Sequence, residues 1–401
     1  MAQGVFYEHV FTVVFFVYSA VMKFDQTIEL PSWLICDELR HLMSLLNKDK
    51  QYNALLVGGC VRNAVRHDPI TDIDIATTLK PDEVIKECQD HHIHVIPTGL
   101  QHGTVTAVIN HKHFEITTLR NDVQTDGRHA QVQFFDDWAE DAKRRDFTMN
   151  ALYMTLSGQV YDPLGTGIQD AINGKIIFIG NPEKRIQEDY LRILRFFRFH
   201  AYYGHGQFDK QGLQACQKFS DKIMHLSKER ITSEIFKLLS APKPMASLKQ
   251  IYKGRILGDA LLFQEDILDH FITLQEQYKA PDVIARLSLF EQTLDSLLCF
   301  SNKQKKALAL YRNNQPESIN TLNLMKQTIY HYGNDIALQL YLLAMAQSRQ
   351  MPAHDFVQLC QKWVTPPCPI NGKTLIQEGI EPGKELGEIL KKRTQEWLAS
   401  L

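Results

Sequence analysis

The chain has 401 residues, with 44 Lys and Arg against 46 Asp and Glu, so its formal net charge is −2. This length exceeds what one compact core usually holds and predicts two or three domains. The near-neutral charge argues against a protein that coats nucleic acid through bulk charge, so a polyanionic partner must meet local basic patches. Seven cysteines without a C-x-x-C pair indicate neither a disulfide framework nor a zinc knuckle, which favours a reducing, cytoplasmic compartment.

The N-terminus contains a nearly unbroken apolar run at residues 10–22. The run is too short to span a bilayer, and no Lys or Arg precedes Lys23, as a signal peptide would require. We interpret residues 1–21 as an uncertain N-terminal extension, with Met22 favoured as the natural start. A membrane anchor is the alternative interpretation of this segment, and no other part of the chain is expected to meet a membrane.

Strand and helix patterns alternate over the first 160 residues. An apolar strand at 54–57 ends at a glycine pair, after which residues 60–65 begin a helix. A second strand is predicted at 73–76, followed by a helix that Pro81 opens and that runs to about Asp90. Alternating β-branched residues predict further strands at 103–109 and 114–119 and a hairpin at 152–161.

From residue 181 onward, strand signals give way to helical periodicity, in which apolar residues recur between basic ones. Proline-containing breaks at 241–244 and 365–369 divide this helical part. We predict an α+β fold with an N-terminal mixed α/β domain and an all-helical remainder. The predicted limits are 22–160 for the mixed domain, 161–241 for a first helical segment and 242–401 for a second.

Two aspartates, Asp72 and Asp74, lie in and beside the second predicted strand. Because side chains alternate along a strand, both carboxylates are expected on one face, with Ile73 and Ile75 toward the core. Two close carboxylates repel each other, and a hard divalent cation, most often Mg²⁺, relieves that repulsion. Glu115 on a neighbouring predicted strand adds a third carboxylate, and three such ligands suit two metal ions about 3.5–4 Å apart.

A lone D-x-D usually marks a solvated turn, so its meaning depends on the motifs around it. Gly58-Gly59 precedes it at a strand-to-helix turn, where backbone N–H groups can approach phosphate. The strings GGCVRN at 58–63 and TDIDIAT at 71–77 resemble the G-G-x-V-R-D and D-x-D signatures of polymerase β-like nucleotidyltransferases. This superfamily includes the CCA-adding enzymes and the poly(A) polymerases. One departure is Asn63, where the family usually has Asp.

The resemblance implies a role for each matched residue. Gly58, Gly59 and Arg62 would hold the triphosphate of a nucleotide. The metal ligands would be Asp72 and Asp74, and the catalytic group would be completed by Glu115.

Two later strings continue the resemblance. Residues 143–152, KRRDFTMNAL, are similar to the family motif that grips the ribose, which assigns Arg145 and Asp146 to the sugar with Asn150 as a partner. Residues 188–195, EDYLRILR, resemble the family's E-D-x-x-R motif for base selection. The nucleotide-binding residues implied by that motif are Glu188, Asp189, Arg192 and Arg195.

Base selection by this motif has a simple chemical basis. On a helix, Asp189 and Arg192 would share a face. The carboxylate would accept from the exocyclic amine of cytosine or adenine, and the guanidinium would donate to the ring acceptor beside it. UTP and GTP would leave these buried groups unpaired at about 1–3 kcal/mol each. Downstream, Arg230 and Glu234 resemble a bracing motif and are expected to form an ion pair with each other.

Taken together, the motifs resemble the class II CCA-adding enzymes, which have a head, a helical neck and a helical body and tail. The resemblance implies Mg²⁺-dependent addition of C, C and A to the 3′ end of tRNA from CTP and ATP. Residues 120–128 resemble the family's flexible loop, which favours full CCA addition. A bacterial poly(A) polymerase and a CC-adding enzyme remain alternatives. A silent tRNA-binding protein is disfavoured because all three carboxylates are present, and a small-molecule nucleotidyltransferase because the helical region is long.

Overall fold

The computed structural model describes residues 22–30, 34, 36–125, 130–258, 260–313 and 321–400, and the uncertain extension at 1–21 lies outside them. The described chain forms two compact units. The first contains the described residues up to 124 together with 130–145 and 150–168. The second contains Thr125, residues 146–149 and the described residues from 169 onward.

Within the described chain, strands occur only up to residue 161. They are β1 Gln26–Thr27, β2 Ala54–Val57, β3 Asp74–Thr77, β4 His94–Gly99, β5 Thr104–Ile109, β6 Lys112–Thr118, β7 Arg120–Thr125, β8 Ala130–Phe134, β9 Tyr153–Met154 and β10 Gln159–Tyr161. Eight of them form one mixed sheet in the order β1-β10-β9-β2-β3-β6-β5-β4, while β7 and β8 pair separately.

Helices make up most of the rest of the described chain. They are α1 Asp37–Leu46, α2 Gly59–Arg66, α3 Pro81–Asp90, α4 Trp138–Arg144, α5 Gly167–Asn173, α6 Pro182–Glu188, α7 Leu191–Tyr203, α8 Lys210–Lys218, α9 Lys228–Ser240, α10 Met245–Lys253, α11 Glu265–Gln277, α12 Val283–Leu287, α13 Asn302–Asn313, α14 Leu322–Tyr332, α15 Asn334–Ser348, α16 His354–Lys362, α17 Gly372–Gln377 and α18 Lys384–Ser400.

The centre of the sheet positions the acidic residues. Strand β2 is buried along its whole length and pairs antiparallel with β3. On its other side β3 pairs parallel with β6, in a register that sets Asp74 beside Glu115. Helices α1 and α3 pack on each other and on the sheet, against the face that buries Phe114 and Ile116. Because this face is covered, the alternate residues of β6 face outward.

The second unit is built around two groups of helices. Helix α7 packs against α9 and α10. Further along, α15 is apolar on nearly all its faces and is surrounded by α11, α14 and α16, as expected of a central helix. None of the described helices is both long and apolar enough to cross a membrane.

The structure confirms the predicted α+β fold class, with a mixed-sheet N-terminal domain and a helical remainder. Strand 54–57 and the helix from Pro81 to Asp90 are confirmed at both ends. The strand predicted at 73–76 is wrong at its start, because β3 begins at Asp74 and leaves Asp72 exposed before it. The limits 22–160, 161–241 and 242–401 stay predictions.

The mobile loop predicted at 120–128 is also wrong in its first part. Backbone pairing between β7 and β8 makes a two-stranded hairpin there, because each strand satisfies the hydrogen-bonding groups of the other. The predicted loop residues 126–128 lie outside the described part of the chain.

A buried arginine ties the helices of the second unit together. Arg286 of α12 is 2% exposed. Its guanidinium donates to the carbonyl oxygens of Leu239 at 2.5 Å and Ala241 at 3.2 Å, at the C-terminal end of α9, where the helix dipole is negative. It also donates to Oε1 of Gln275 on α11 at 2.6 Å, and Gln275 donates to Gln339 on α15 at 2.7 Å. One side chain therefore connects α12 with α9 directly and with α15 through an amide.

Replacing Arg286 with Met should destabilise the protein, because buried carbonyl and amide oxygens lose their donor at about 1–3 kcal/mol for each unsatisfied group. We expect urea denaturation to report a fall of about 3 kcal/mol or more in the free energy of unfolding. Arg349→Met is the matched control: its ion pair with Asp266 is exposed, with side chains 72% and 73% accessible. That pair is worth about 0–1 kcal/mol, so equal losses in the two variants would contradict the role of Arg286.

A buried histidine gives the second unit a pH dependence. His200 of α7 is stacked on Phe208, with ring centroids 3.5 Å apart, and its Nδ1 lies 3.5 Å from Oγ of Ser247. Its Nε2 is buried and has no hydrogen-bond partner among the described residues. Burial lowers the pKa of His200 to about 4, so the folded protein holds this ring neutral.

In the unfolded chain the pKa of this ring returns to about 6.5. Between pH 6.5 and 4 the unfolded state therefore binds more protons than the folded state, and the free energy of unfolding should fall as the pH falls. Above pH 6.5 the contribution of His200 is constant. His200→Gln should flatten this part of the stability profile, by up to about 1.4 kcal/mol per pH unit, whereas the exposed His331→Gln should not. Identical wild-type and His200→Gln profiles would refute the assignment.

Candidate active site

The phosphate-binding turn predicted at Gly58-Gly59 forms between β2 and α2. Gly58 has φ +73° and ψ −124°, a conformation that residues with a Cβ rarely adopt. Helix α2 begins at Gly59, so its first N–H groups have no intrahelical acceptor and lie at the positive end of the helix dipole. A Cβ on Gly58 would lie 3.6 Å from Nη1 of Arg145, so that guanidinium lies against the turn. Free N–H groups beside a cation favour phosphate binding.

Arg62 of α2 is buried beneath the same turn and is held by two amides. Its Nη1 donates to Oδ1 of Asn150 at 2.7 Å. Its Nε and Nη2 donate to Oδ1 of Asn63 at 3.1 and 2.8 Å. The Nδ2 of Asn63 donates to the carbonyl oxygen of Pro69 at 2.7 Å, a bond that an Asp at this position could not make. The departure from the family pattern therefore keeps the arginine fixed without placing a negative charge beside it.

The three predicted carboxylates lie around a cleft of about 810 Å³ in the first unit. Asp74 is half-buried at the start of β3, Glu115 is its neighbour on β6, and Asp72 is exposed just before β3. Burial, followed by the charge of Glu115, raises the pKa of Asp74, while Arg145 partly offsets them and Asp72 adds to them. Lys112, on the same strand as Glu115, also lines the cleft. The sheet thus brings three carboxylates, which carry like charges, to the same cleft.

This donor set fits a hard divalent cation. The described residues contain no group of three or more His, Cys, Asp or Glu side chains arranged to enclose a metal ion. An enclosed site is not required, because Mg²⁺ is usually bound by one or two carboxylates together with substrate phosphates and water. Within the described chain the carboxylate of Asp74 accepts no hydrogen bond, and a nearby cation would relieve its repulsion with Glu115. Asp72 and Asp74 can therefore serve as open-sided ligands.

Arg145 is fixed by two residues that the sequence analysis missed. Its guanidinium donates to Oδ2 of Asp141 at 3.0 and 3.2 Å, and the Tyr153 hydroxyl donates to the same oxygen at 2.7 Å. Asp141 is fully buried on α4, and although burial alone would raise its pKa, Arg145 and Arg144 hold that pKa at about 2. The signal in the sequence was the i, i+4 spacing of Asp141 and Arg145 across α4, which is equally common on solvated helices.

Asp146, the next residue along the chain, belongs to the second unit. Its Oδ2 accepts from Nε of Arg195 at 2.8 Å and from Nη2 at 2.5 Å. Its Oδ1 accepts from the Phe147 N–H at 2.8 Å. Asp146 is 8% exposed, so the pair with Arg195 is nearly buried. Two residues predicted to bind nucleotide, one from each of the later motifs, are therefore in direct contact.

The segment 188–195 is not the continuous helix that the sequence analysis predicts. Helix α6 ends at Glu188, Asp189 has extended backbone angles, and α7 begins at Leu191. The reason is local: the Asp189 carboxylate accepts from the Leu191 N–H at 3.1 Å, as an aspartate does when it competes with the helix backbone. The i, i+3 helical face predicted for Asp189 and Arg192 is therefore wrong, although both residues flank the start of α7.

The side chains of this segment have other partners. Arg192 donates to Glu188 at 2.6 Å and to the Arg185 carbonyl at 2.8 Å. Asp189 accepts from Nη2 of Arg230, on α9, at 2.8 Å. All of these residues belong to the second unit.

Helix α9 also corrects the predicted Arg230–Glu234 ion pair. Glu234 is buried and accepts from Nε of Arg198, on α7, at 2.6 Å, while Arg230 contacts Asp189. From the neighbouring helix α9, Glu234 thus braces α7, and Arg230 braces Asp189, two residues before α7 begins. The i, i+4 spacing on α9 favoured an ion pair between Arg230 and Glu234. Because α9 packs on α7, each of them instead contacts a residue outside α9.

Two family models match the chain. Residues 54–177 match the Poly A polymerase head domain, and residues 207–265 match a family described as the probable RNA and SrmB-binding site of polymerase A. The first match covers the glycine turn, the three carboxylates and the ribose motif. The second covers α8 to the start of α11.

Individual relatives match almost the whole chain. Mouse mitochondrial CCA tRNA nucleotidyltransferase 1 is 32% identical over 395 residues, covering 92% of this chain and 87% of the relative. A CCA-adding enzyme of Streptococcus pyogenes serotype M5 is 33% identical over 380 residues, covering 88% and 91%. Among solved structures, the Bacillus stearothermophilus CCA-adding enzyme in complex with CTP aligns with a TM-score of 0.72 at 25% identity, covering 90% of this chain and 92% of that one.

Proposed function

Because this chain belongs to the class II CCA-adding enzymes and is a tRNA nucleotidyltransferase, we propose that it adds C, C and A in turn to the 3′ end of tRNA from CTP and ATP. The observation that carries the proposal is the similarity to enzymes of that name over about nine-tenths of the chain. The intact glycine turn and the carboxylates around the cleft support the same conclusion.

We assign the chemistry to the first unit. The 3′ hydroxyl of the RNA attacks the α-phosphorus of the nucleotide, a new O–P bond forms, and pyrophosphate leaves. Gly58, Gly59 and Arg62 bind the triphosphate, and Arg145 adds positive charge at the turn. Asp72 and Asp74 would hold two Mg²⁺ ions, with Glu115 supporting them, and the bound ions would lower the pKa of the hydroxyl and neutralise the triphosphate.

We assign ribose and base recognition to the later motifs. Arg145, Asp146 and Asn150 are proposed for the sugar. Asp189 and Arg192 are proposed for the base edge, which accepts cytosine and adenine for the reasons given above. Support comes from their fixed side chains: Arg230 holds the Asp189 carboxylate, and Glu188 holds Arg192, so both are ordered before a base arrives. Arg195 orders Asp146 in the same way.

We further propose a cytoplasmic location. All seven cysteines are free in the structure, which suits a reducing compartment. The named relatives include both mitochondrial and bacterial enzymes, so fractionation of cells that express the chain is the measurement that decides.

The product of the reaction tests the proposed activity. Purified protein with Mg²⁺, CTP and ATP should extend a tRNA that lacks its CCA end by C, C and A, and then stop. Sequencing of the 3′ ends identifies the product. A tail of A residues would support a poly(A) polymerase, and arrest after two C residues would support a CC-adding enzyme. Either result would overturn full CCA addition.

Two substitutions in the first unit, one at the proposed metal site and one outside it, test that site in the same assay. Asp74→Asn should reduce incorporation to background while tRNA binding, measured by fluorescence anisotropy, is retained, because the substitution removes a charge and almost no volume. Asp68→Asn changes an acid that pairs with Arg66 at the end of α2 and should leave incorporation unchanged. Full activity of Asp74→Asn would refute the proposed metal site.

Base choice makes a separate prediction. Asp189→Ala removes the proposed acceptor for the exocyclic amine, so the preference for CTP over UTP in kcat/KM should fall by about tenfold or more. Glu183→Ala on α6 is the matched control, since it removes an exposed carboxylate that pairs with Lys218 and should preserve selectivity. Unchanged selectivity of Asp189→Ala would exclude Asp189 from base recognition, whatever its effect on overall rate.

A further inference from the structure

A cavity of about 400 Å³ lies in the second unit and contains none of the residues assigned above. Its volume falls in the range of small-molecule sites, about 300–1,000 Å³. The walls come from the second half of α10, the residues before α11 and the residues after α12. The residues that matter to the argument are Lys249, Tyr252, Lys253, Phe263, Phe290 and Glu291.

One wall presents an aromatic ring between two lysines. Tyr252 lines the cavity and is 50% exposed, so its ring can be reached from solvent. Lys249, Tyr252 and Lys253 are spaced i, i+3 and i+4 on α10, so they share one face of the helix. The Phe263 ring is inclined by 69° to that of Tyr252, with centroids 6.3 Å apart, which supports the tyrosine from one side.

The floor of the cavity is rigid. Phe263 and Phe290 form an isolated antiparallel bridge, and their ring centroids are 5.1 Å apart. The Glu291 N–H donates to the Leu262 carbonyl oxygen at 3.0 Å. Two segments from different parts of the chain are therefore joined by backbone hydrogen bonds, so the cavity is formed before any ligand enters.

The two lysines beside Tyr252 differ in whether they form an ion pair. Lys249 forms an ion pair with Glu265, which neutralises both. Lys253 is exposed and makes no ion pair within the described chain, so its ammonium group can meet a phosphate. Glu291 also lines the cavity and is exposed, so its carboxylate can accept from an amine or a ribose hydroxyl. An aromatic ring, one cation and one acceptor match the three parts of a nucleotide.

We propose that this cavity binds one unpaired nucleotide of the RNA substrate, with the base stacked on Tyr252 and the adjoining phosphate on Lys253. The proposal rests on the proposed function, because it takes RNA as the substrate. The α10 and pre-α11 walls lie within residues 207–265, the stretch that matches a probable RNA-binding family, and that match assigns no individual residue. Aromatic rings beside basic groups are the usual means of binding unpaired bases.

Anisotropy titration of labelled tRNA without its CCA end tests the site. Tyr252→Ala should raise the Kd on the order of tenfold, the loss expected for one base stacked on an aromatic ring. Tyr252→Phe keeps the ring and should bind within about twofold of wild type. Tyr332→Ala removes a comparably exposed tyrosine from α14 and should leave the Kd unchanged. A 4-thiouridine-substituted tRNA should crosslink to the peptide that contains Tyr252.

If Tyr252→Ala bound tRNA with wild-type affinity, the proposal would be overturned. The same result is expected if the cavity binds a protein partner instead of RNA. The result is separable from the proposed activity. A wild-type protein that binds tRNA through Tyr252 and adds no nucleotide would refute the activity and leave the binding site intact.

Discussion

Repulsion between carboxylates is the constraint on which the first unit depends. The parallel pairing of β3 with β6 sets Asp74 beside Glu115, and backbone hydrogen bonds fix their separation, so neither strand can move away to relieve the repulsion. The covered face of the sheet prevents the side chains from turning inward. The unit therefore carries an electrostatic cost at this edge of the sheet, and Arg145, at the end of α4, partly offsets it.

The arginines near the predicted site residues are held by two different means. Arg145 is secured by a buried carboxylate and a tyrosine hydroxyl, so a large part of its charge is already balanced by Asp141. Arg62 donates to the amide oxygens of Asn63 and Asn150, which fix its direction. In the second unit, Arg195 and Arg198 are secured by Asp146 and Glu234 in the first manner. Each of these arginines therefore has a fixed orientation, whether its partner is a carboxylate or an amide.

The sequence predicts the elements of the first unit well because its signals are local. A buried strand that ends at a glycine pair, and a proline at a helix start, determine their elements within a few residues. The same reasoning fails at Asp189, where helical periodicity continues on both sides and a single side-chain hydrogen bond interrupts it. It also fails for Arg230 and Glu234, since i, i+4 spacing identifies a possible partner on the same helix and contains no information about α7. The burial of Asp141 also depends on tertiary packing, so local sequence signals do not predict it.

Asn63 has a consequence for how the glycine turn at Gly58-Gly59 responds to pH. A carboxylate beside Arg62 would gain and lose a proton as the surroundings changed, and the field at the turn would change with it. An amide does not titrate, and neither does a guanidinium in the range where proteins are folded. Arg62 and the amides of Asn63 and Asn150 therefore keep the same protonation state across that whole range. The carboxylate of Asp74 does titrate, so this edge of the sheet, rather than the three side chains at the turn, is expected to respond to pH.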